Sequence, residues 1–335
     1  MEEIHLILKT IQQTDERSVL ATIIHVEGSA YRKEGTSMLF LENGTQIGVL
    51  SAGCLESDLA ARVPELLASG DSRVFAYDMD SPDPLSWGES PGCGGVIHVA
   101  MEPVDAKLLK HLTTLKNELD RGSRVVHFKK ISPDRTVSDY GFAHDLLEMT
   151  APFKDVRRSG IHDVPSIRSE VFFHTYIPVP RLMVFGATPD ARPLVSFAAA
   201  TGFHVTVFDW RPELCRQEYF PDAIALILGQ PEKWTDMTSF TPDDYAVVMT
   251  HHFEKDRQLI RLLRERPFRY LGILGSKKRT ERLLNGEPVP GHIRYPVGIA
   301  IGAEGPTEIA VSIVADLIYT YRKNNTRKTV DHASN

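Results

Sequence analysis

Apolar residues first recur at helical spacing in EEIHLILKTIQQ, where Ile4, Ile7, Leu8 and Ile11 share one face of an expected helix. The pattern then changes period. SVLATIIHVEG is β-branched and reads as a strand, and SMLFLENGTQIGVL reads as a hairpin because Asn43-Gly44 suits the positive φ of a tight turn. ESDLAARVPELLASG returns to a helix stopped by Gly70. RVFAYDM and GGVIHVAMEP read as strands flanking the loop SPDPLSWGESPGCGG, and DAKLLKHLTTLKNELDRG as a helix with its own glycine stop. From Ile131 to Pro180 the periodicity weakens. VFFHTYIP still reads as a strand, but the polar residues and prolines predict a connector.

From Arg181 the rhythm is strand–helix–strand. RLMVFGA, HVTVFDW, YAVVMTH, YLGILG and VGIAIG are short apolar runs with helical stretches between several of them, which predicts a parallel sheet covered on both faces. GPTEIAVSIVADLIYTY closes the pattern as a helix with Pro306 and Glu308 in its first turn and Ile309, Ile313, Leu317 and Ile318 on its apolar face.

VFGATPDA follows the first of these strands and precedes a helix, and Asp209 ends the next strand. Gly186 and Asp209 therefore sit where a dinucleotide-binding βαβ unit holds a pyrophosphate and a ribose. The second glycine of that motif is replaced by Thr188, followed by Pro189, so a Rossmann-like domain binding no dinucleotide tightly is an equal reading. The fold class is thus α/β: a mixed α/β domain over residues 1–135, a connector over 136–179, a Rossmann-like domain with a mainly parallel sheet over 180–325, and a tail over 326–335.

Composition narrows the chemistry. A formal charge of −6 argues against nucleic-acid binding, and RKNNTRK reads as a solvated tail. No apolar run approaches the roughly 18 residues of a membrane span, and MEEIHLILKT lacks a signal-peptide pattern, so a cytoplasmic protein is expected. Three cysteines are too few for a disulfide framework. An iron–sulfur cluster, which takes about four thiolates, is excluded in its usual form.

Two of the cysteines are oddly placed. Cys54, in GVLSAGCLES, precedes a helix whose N-terminus would favour a thiolate, with Gly53 before it and Glu56 after it. Cys93, in PGCGG, is followed by Gly94 and Gly95. Such a pair suits binding a soft metal, disulfide exchange or sulfur transfer. Cys215 lies in the expected helical run RPELCRQEYF and reads as structural. The loop VEGSAYRKEGTSML carries Gly28, Ser29, Arg32, Lys33 and Gly35, a glycine-rich setting for an anion. Gly275, Ser276 and Lys277, in GILGSKKRTERL, form a second candidate anion turn at a helix start. His251 and His252 lie just past a strand end. Adjacent histidines point apart and make a poor metal pair, so at least one reads as a surface turn residue.

Taken in order, GSAYRKEGTSML, GVLSAGCLES, PGCGGVIHVAMEP, VTVFDWRPE, VMTHHFEKD, LGILGSKKRTERL and PVGIAIGAEGPTEIAVSIVADLI make the chain resemble the XdhC/CoxI family, accessory proteins of xanthine and carbon monoxide dehydrogenases. It departs from the family pattern at Ala52, where glycine is expected, and at GATPDA, which replaces a GAGHVA-like turn. The resemblance implies a maturation factor that binds the molybdenum cofactor (molybdopterin), promotes its sulfuration with a cysteine desulfurase and hands it to an apo-dehydrogenase. Gly28, Ser29, Arg32 and Gly35 would hold the pterin phosphate. Cys54 would contact molybdenum or its sulfur, with Cys93 beside it. Gly186, Asp209 and the GSKK turn would be nucleotide or phosphate elements. A homodimer is a further family-level expectation, as is a carrier role in place of turnover. A complete xanthine dehydrogenase is excluded at 37.5 kDa with three cysteines. The rivals are an NAD(P)-dependent oxidoreductase using the Rossmann-like domain, and a docking protein whose cysteines are incidental.

Overall fold

The computed structural model describes residues 3–51, 53, 55–79, 95–142, 159–164, 169–237, 239–285, 287 and 290–327. The chain divides into two compact units, residues 2–178 and 179–335.

The first unit is built on a five-stranded antiparallel sheet ordered β3-β2-β1-β5-β4. Its strands are β1 (Ser18–Gly28), β2 (Ser37–Leu41), β3 (Gln46–Ile47), β4 (Arg73–Asp78) and β5 (Gly95–Pro103). Side chains alternate across β1. Val19, Ala21 and Ile23 pack with Leu55, Leu59, Val63 and Leu66 of α2 (Glu56–Ser69) and its approach. Leu20 packs on the other face, with Ile4, Ile7, Leu8 and Ile11 of α1 (Ile4–Gln13) and Leu108, Leu112, Leu115 and Leu119 of α3 (Ala106–Asp120). Burial on both faces explains why β1 reads as a continuous apolar run. In the β2–β3 hairpin Gly44 takes φ 88°, while the Asn43 side chain accepts the Thr45 N–H.

A second antiparallel sheet in this unit, ordered β7-β6-β9-β8, comprises β6 (Val125–Ile131), β7 (Val137–Phe142), β8 (Gly160–Val164) and β9 (Ser169–Tyr176). Three of these strands lie in the segment expected to be a connector. β7 has only Gly141 and Phe142 buried, too few for a period to show, and in β6, just ahead of that segment, His127 and Lys129 fill two of the buried positions. Lys129 donates to Glu102 of β5, and both side chains are almost wholly buried. The Tyr140 hydroxyl donates to the second Glu102 oxygen at 2.8 Å, and Lys129 Nζ lies 3.4 Å from Thr22 Oγ1. This cluster ties the two sheets together beside an apolar one, in which Ile24 and Ala100 of the first sheet meet Ile131 and Phe172 of the second.

The second unit is a six-stranded, wholly parallel sheet ordered β12-β11-β10-β13-β14-β15. Its strands are β10 (Arg181–Phe185), β11 (His204–Asp209), β12 (Ala225–Leu228), β13 (Tyr245–Val248), β14 (Tyr270–Ile273) and β15 (Ile293–Arg294). Numbered within the unit the order is 3-2-1-4-5-6, the Rossmann arrangement, and the expected α/β class holds. The helices are α4 (Ala191–Ala200), α5 (Pro231–Met237), α6 (Phe253–Leu263), α7 (Lys277–Leu284) and α8 (Gly305–Arg327). Two expectations change. VGIAIG is not a strand, because Gly298 and Gly302 take φ 88° and 70°, outside extended geometry, and β15 forms upstream of it. Cys215 lies in turns ahead of a short 3₁₀ segment, Gln217–Tyr219, and not in an α-helix. Among the described residues no helix is long and apolar enough to cross a membrane.

The interior of the first unit makes two expectations measurable. Removing one member of the Lys129–Glu102 pair strands the other, so Lys129→Met is expected to cost about 3–5 kcal/mol in urea unfolding. Adding Glu102→Leu should return a substantial part of that loss. His127 is 2% exposed and neither ring nitrogen has a hydrogen-bond partner. Burial, then the nearby Lys129 ammonium, hold its pKa well below 6.5, and the same two causes push His174 down to about 4. An unfolded histidine takes up a proton that the folded one refuses, so stability falls as pH drops from about 6.5 towards 4. In His127→Phe that acid-side slope should shrink, with stability at pH 8 equal or higher.

Candidate functional site

Antiparallel pairing brings three chain segments to one end of the five-stranded sheet. β1 ends at Gly28, directly opposite Gly95 at the start of β5. β2 starts at Ser37 at this same end, so the loop 29–36 turns over it. β3 runs back towards it, delivering Gly48 beside Ser37. β4 finishes here at Asp78, opposite Val96. The contact between β1 and β5 requires glycine: a Cβ on Gly95 would fall on the Glu27 carbonyl oxygen. Gly48 is similarly held, 2.8 Å from the Ser37 carbonyl at its would-be Cβ. Cys54, Cys93 and Gly94 lie outside the described residues; Gly53, Leu55, Met79 and Gly95 flank them.

Several expected site residues have structural tasks at this edge. Glu56 Oε1 accepts the Leu50 and Ser51 N–H groups at 3.0 and 2.7 Å, and Oε2 accepts the Ser51 hydroxyl. Ser51 Oγ in turn accepts from Gly53 and Leu55. Glu56 therefore folds the turn ahead of α2. Burial alone would raise its pKa, but these donors together, the Ser51 hydroxyl foremost, hold it below the ordinary 4.5. A carboxylate so engaged is poorly placed for acid–base work. Arg32 bonds Glu3 at 2.9 Å, and Glu3 also accepts the Val49 N–H, so Arg32 and the Gly48 turn share one carboxylate. Gly35 is buried; its missing side chain makes room for the His174 ring, which a Cβ would overlap. Gly28, Ser29 and Lys33 are exposed.

In the Rossmann unit the crevice beyond the strand ends lies where β10 and β13 diverge in connection. Gly186, at φ 123°, lets the two strand ends touch: a Cβ there would be 2.6 Å from the Met249 carbonyl oxygen. Asp209 is fully buried and saturated. Its oxygens accept the Ala187 N–H at 2.6 Å, the Arg211 N–H at 2.9 Å, and Arg211 Nε and Nη2 at 2.9 and 2.8 Å. Burial pulls its pKa upward, but these bonds hold it below the usual aspartate value. The GSKK turn is also used internally. Ser276 caps α7 by accepting the Arg279 N–H, and Arg279 reaches back to the buried Asp256, which Thr250 also bonds. Lys277 is exposed.

Sequence reasoning passed over Asp190, Trp210 and Arg211. Asp190 precedes α4 and bonds His251 Nε2 at 2.6 Å, and His251 is held at φ 61°, a conformation non-glycine residues rarely adopt. Arg211 stacks on Trp210 at 4.4 Å. The signal for Arg211 was the DWR triplet itself, an arginine two positions past the strand-end acid. Nothing in the sequence marks the Asp190–His251 contact, which joins residues 61 apart.

Comparison with known proteins fits this architecture. A model of the XdhC Rossmann domain matches residues 182–317, one of the XdhC and CoxI family matches 11–78, and one of a BH1974-like central domain matches 106–177. Over 327 residues the chain is 42% identical to a probable xanthine dehydrogenase subunit of Bacillus subtilis (strain 168), covering 96% of this chain and 99% of that one. The chain belongs to the XdhC/CoxI family. Within reach of that family lies the molybdenum cofactor insertion chaperone PaoD of Escherichia coli (strain K12), 25% identical over 309 residues, 90% of this chain and 82% of PaoD. A crystal structure described as a xanthine dehydrogenase (BH1974) from Bacillus halodurans superposes with a TM-score of 0.86 at 45% identity, covering 96% of both chains. The central model coincides with α3 and the second sheet, so the segment read as a connector includes part of a recognised domain.

The Glu56 geometry carries a pH prediction. Because its folded pKa lies below the unfolded one, its contribution is complete above about pH 4.5 and is lost as pH falls through the folded value. Glu56→Gln should cost about 1–2 kcal/mol at pH 7, as for loss of charge-assisted hydrogen bonds. The gap between wild type and variant in urea titrations should close as the pH is lowered below 4.5.

Proposed function

We propose that this XdhC/CoxI protein is an accessory factor for a xanthine dehydrogenase-type molybdoenzyme. It takes the molybdenum cofactor as cargo and holds it during sulfuration and insertion. The observation that carries this reading is the convergence of the loop after β1, the turn after β3 and the junctions of β4 and β5 at one end of a sheet. Family membership and similarity to a molybdenum cofactor insertion chaperone supply the class of cargo.

The exposed Gly28 and Ser29, with Lys33 nearby in sequence, suit a phosphate, while Arg32 orders the loop through Glu3. Cys54 stands two positions ahead of the first residue of α2, where a helix N-terminus lowers a thiol pKa. Thiolates at Cys54 and Cys93 suit a soft, sulfur-bearing molybdenum centre. The partners in this reading are an apo-dehydrogenase, a cysteine desulfurase and a second copy of the chain, all in the cytoplasm. The role is that of a carrier, without turnover of its own.

The test is direct. Isolated molybdenum cofactor is added to the purified protein, and retention is measured by metal analysis and cofactor fluorescence. Wild type should retain it and Cys54→Ala should lose at least about tenfold in affinity. Equal retention by Cys54→Ala and by the Cys54→Ala, Cys93→Ala variant would leave the thiols no part in binding. NADH or NADPH turnover by the protein alone would replace the carrier reading with an oxidoreductase.

A further inference from the structure

The strand order of the second unit is that of dinucleotide-binding domains, and its crevice is where such domains hold NAD or NADP. The residues in that crevice do not fit the group. We infer that this Rossmann unit has given up dinucleotide binding, its crevice being closed by its own side chains. The inference stands apart from the molybdenum reading, since it concerns the other unit and other residues.

Four features of the β10–α4 turn and its neighbours carry it. A pyrophosphate needs free N–H groups at the start of the helix and a glycine that lets the ligand approach. The approach glycine is Thr188, which is buried with its hydroxyl 3.5 Å from the Met249 carbonyl. Pro189 follows and has no N–H to offer. Asp190 then places a carboxylate at the helix N-terminus, where a pyrophosphate would sit, and His251 bonds it there at 2.6 Å. A second anion brought against Asp190 meets like charge. The Ala187 N–H, one of the donors that turn could supply, is spent on Asp209.

The ribose end is closed as well. An NAD-binding domain uses the strand-end acid to accept ribose hydroxyls. A carboxylate has about four acceptor positions, and Asp209 already receives four hydrogen bonds while fully buried. Freeing it would require withdrawing Arg211 and stranding a buried charge. What remains beside the turn is an apolar cleft walled by Leu194, Met249, Pro306 and Ile309, with Asp190 as its charged member. That lining holds no cation for a diphosphate, and Arg192, in the first turn of α4, is stacked on the Tyr219 ring at 4.1 Å.

The test uses the full chain and calorimetric titration with NAD+, NADH, NADP+ and NADPH. Wild type is expected to show no binding of any of the four up to millimolar concentration. A variant reopening the turn and freeing the acid (Thr188→Gly, Pro189→Ala, Asp190→Ala, Arg211→Leu) should bind at least one of them at least about tenfold more tightly than wild type. Circular dichroism and a thermal melt establish that the variant is folded; the wild-type titration decides even where it is not. Wild-type binding of any dinucleotide below about 100 μM, roughly −5 kcal/mol, overturns the inference. A folded variant with no gain overturns the assignment of closure to these residues.

Discussion

In each unit the candidate edge exists because a glycine lets two backbones touch. Gly95 brings β5 against the Glu27 carbonyl, and Gly186 brings the end of β10 against Met249. A methyl group at either position would part the strand ends, and with them the loops those strands carry. At the first edge the consequence is register: Gly28 opposite Gly95 fixes where the loop after β1 meets the junction into β5. At the second it is closure, since the Met249 carbonyl brought close by Gly186 also receives the Thr188 hydroxyl. The same device thus serves opposite ends, assembling loops in one unit and sealing a crevice in the other.

How much of this was legible follows from what each position hides. The apolar period gave α1, α3 and four of the parallel strands, β10, β11, β13 and β14, because their buried positions are filled mostly by apolar residues, whereas β12 and β15 went unread. In the second sheet of the first unit β9 was legible in VFFHTYIP, but β6 was obscured because Lys129 and His127 occupy buried positions and read as solvent-facing. A lysine inside is tolerable only with its partner, and Glu102 lies 27 residues away on a different sheet. The VGIAIG run failed for the opposite reason. Its composition is that of a strand, but two glycines commit the backbone to positive φ.

The family-bearing motifs were readable; what they do locally was not. GSAYRKEG suggested an anion loop, yet Gly35 serves the packing of His174 and Arg32 serves Glu3, leaving Gly28, Ser29 and Lys33 exposed. GSKKR suggested a phosphate turn, yet its serine caps a helix and its arginine neutralises Asp256. Helix starts and anion sites draw on the same residue types, because both are answers to unpaired N–H groups.

Carboxylates show the same ambiguity in its sharpest form. Glu56 and Asp209 each stand beside a glycine-rich turn, and by residue type each can act as a base or as a ribose ligand. What separates those roles from a structural one is whether an acceptor position is left open. Glu56 binds the donors of its own turn and Asp209 is filled by Ala187 and Arg211. Glu102, with no motif around it, is likewise held on both oxygens, by Lys129 and Tyr140. Saturation depends on donors distant in sequence or on backbone N–H groups that no residue letter records. A functional carboxylate in this fold is therefore identified by its free acceptor positions: Asp209, with four donors, has none, and Glu56 spends both oxygens on its own turn.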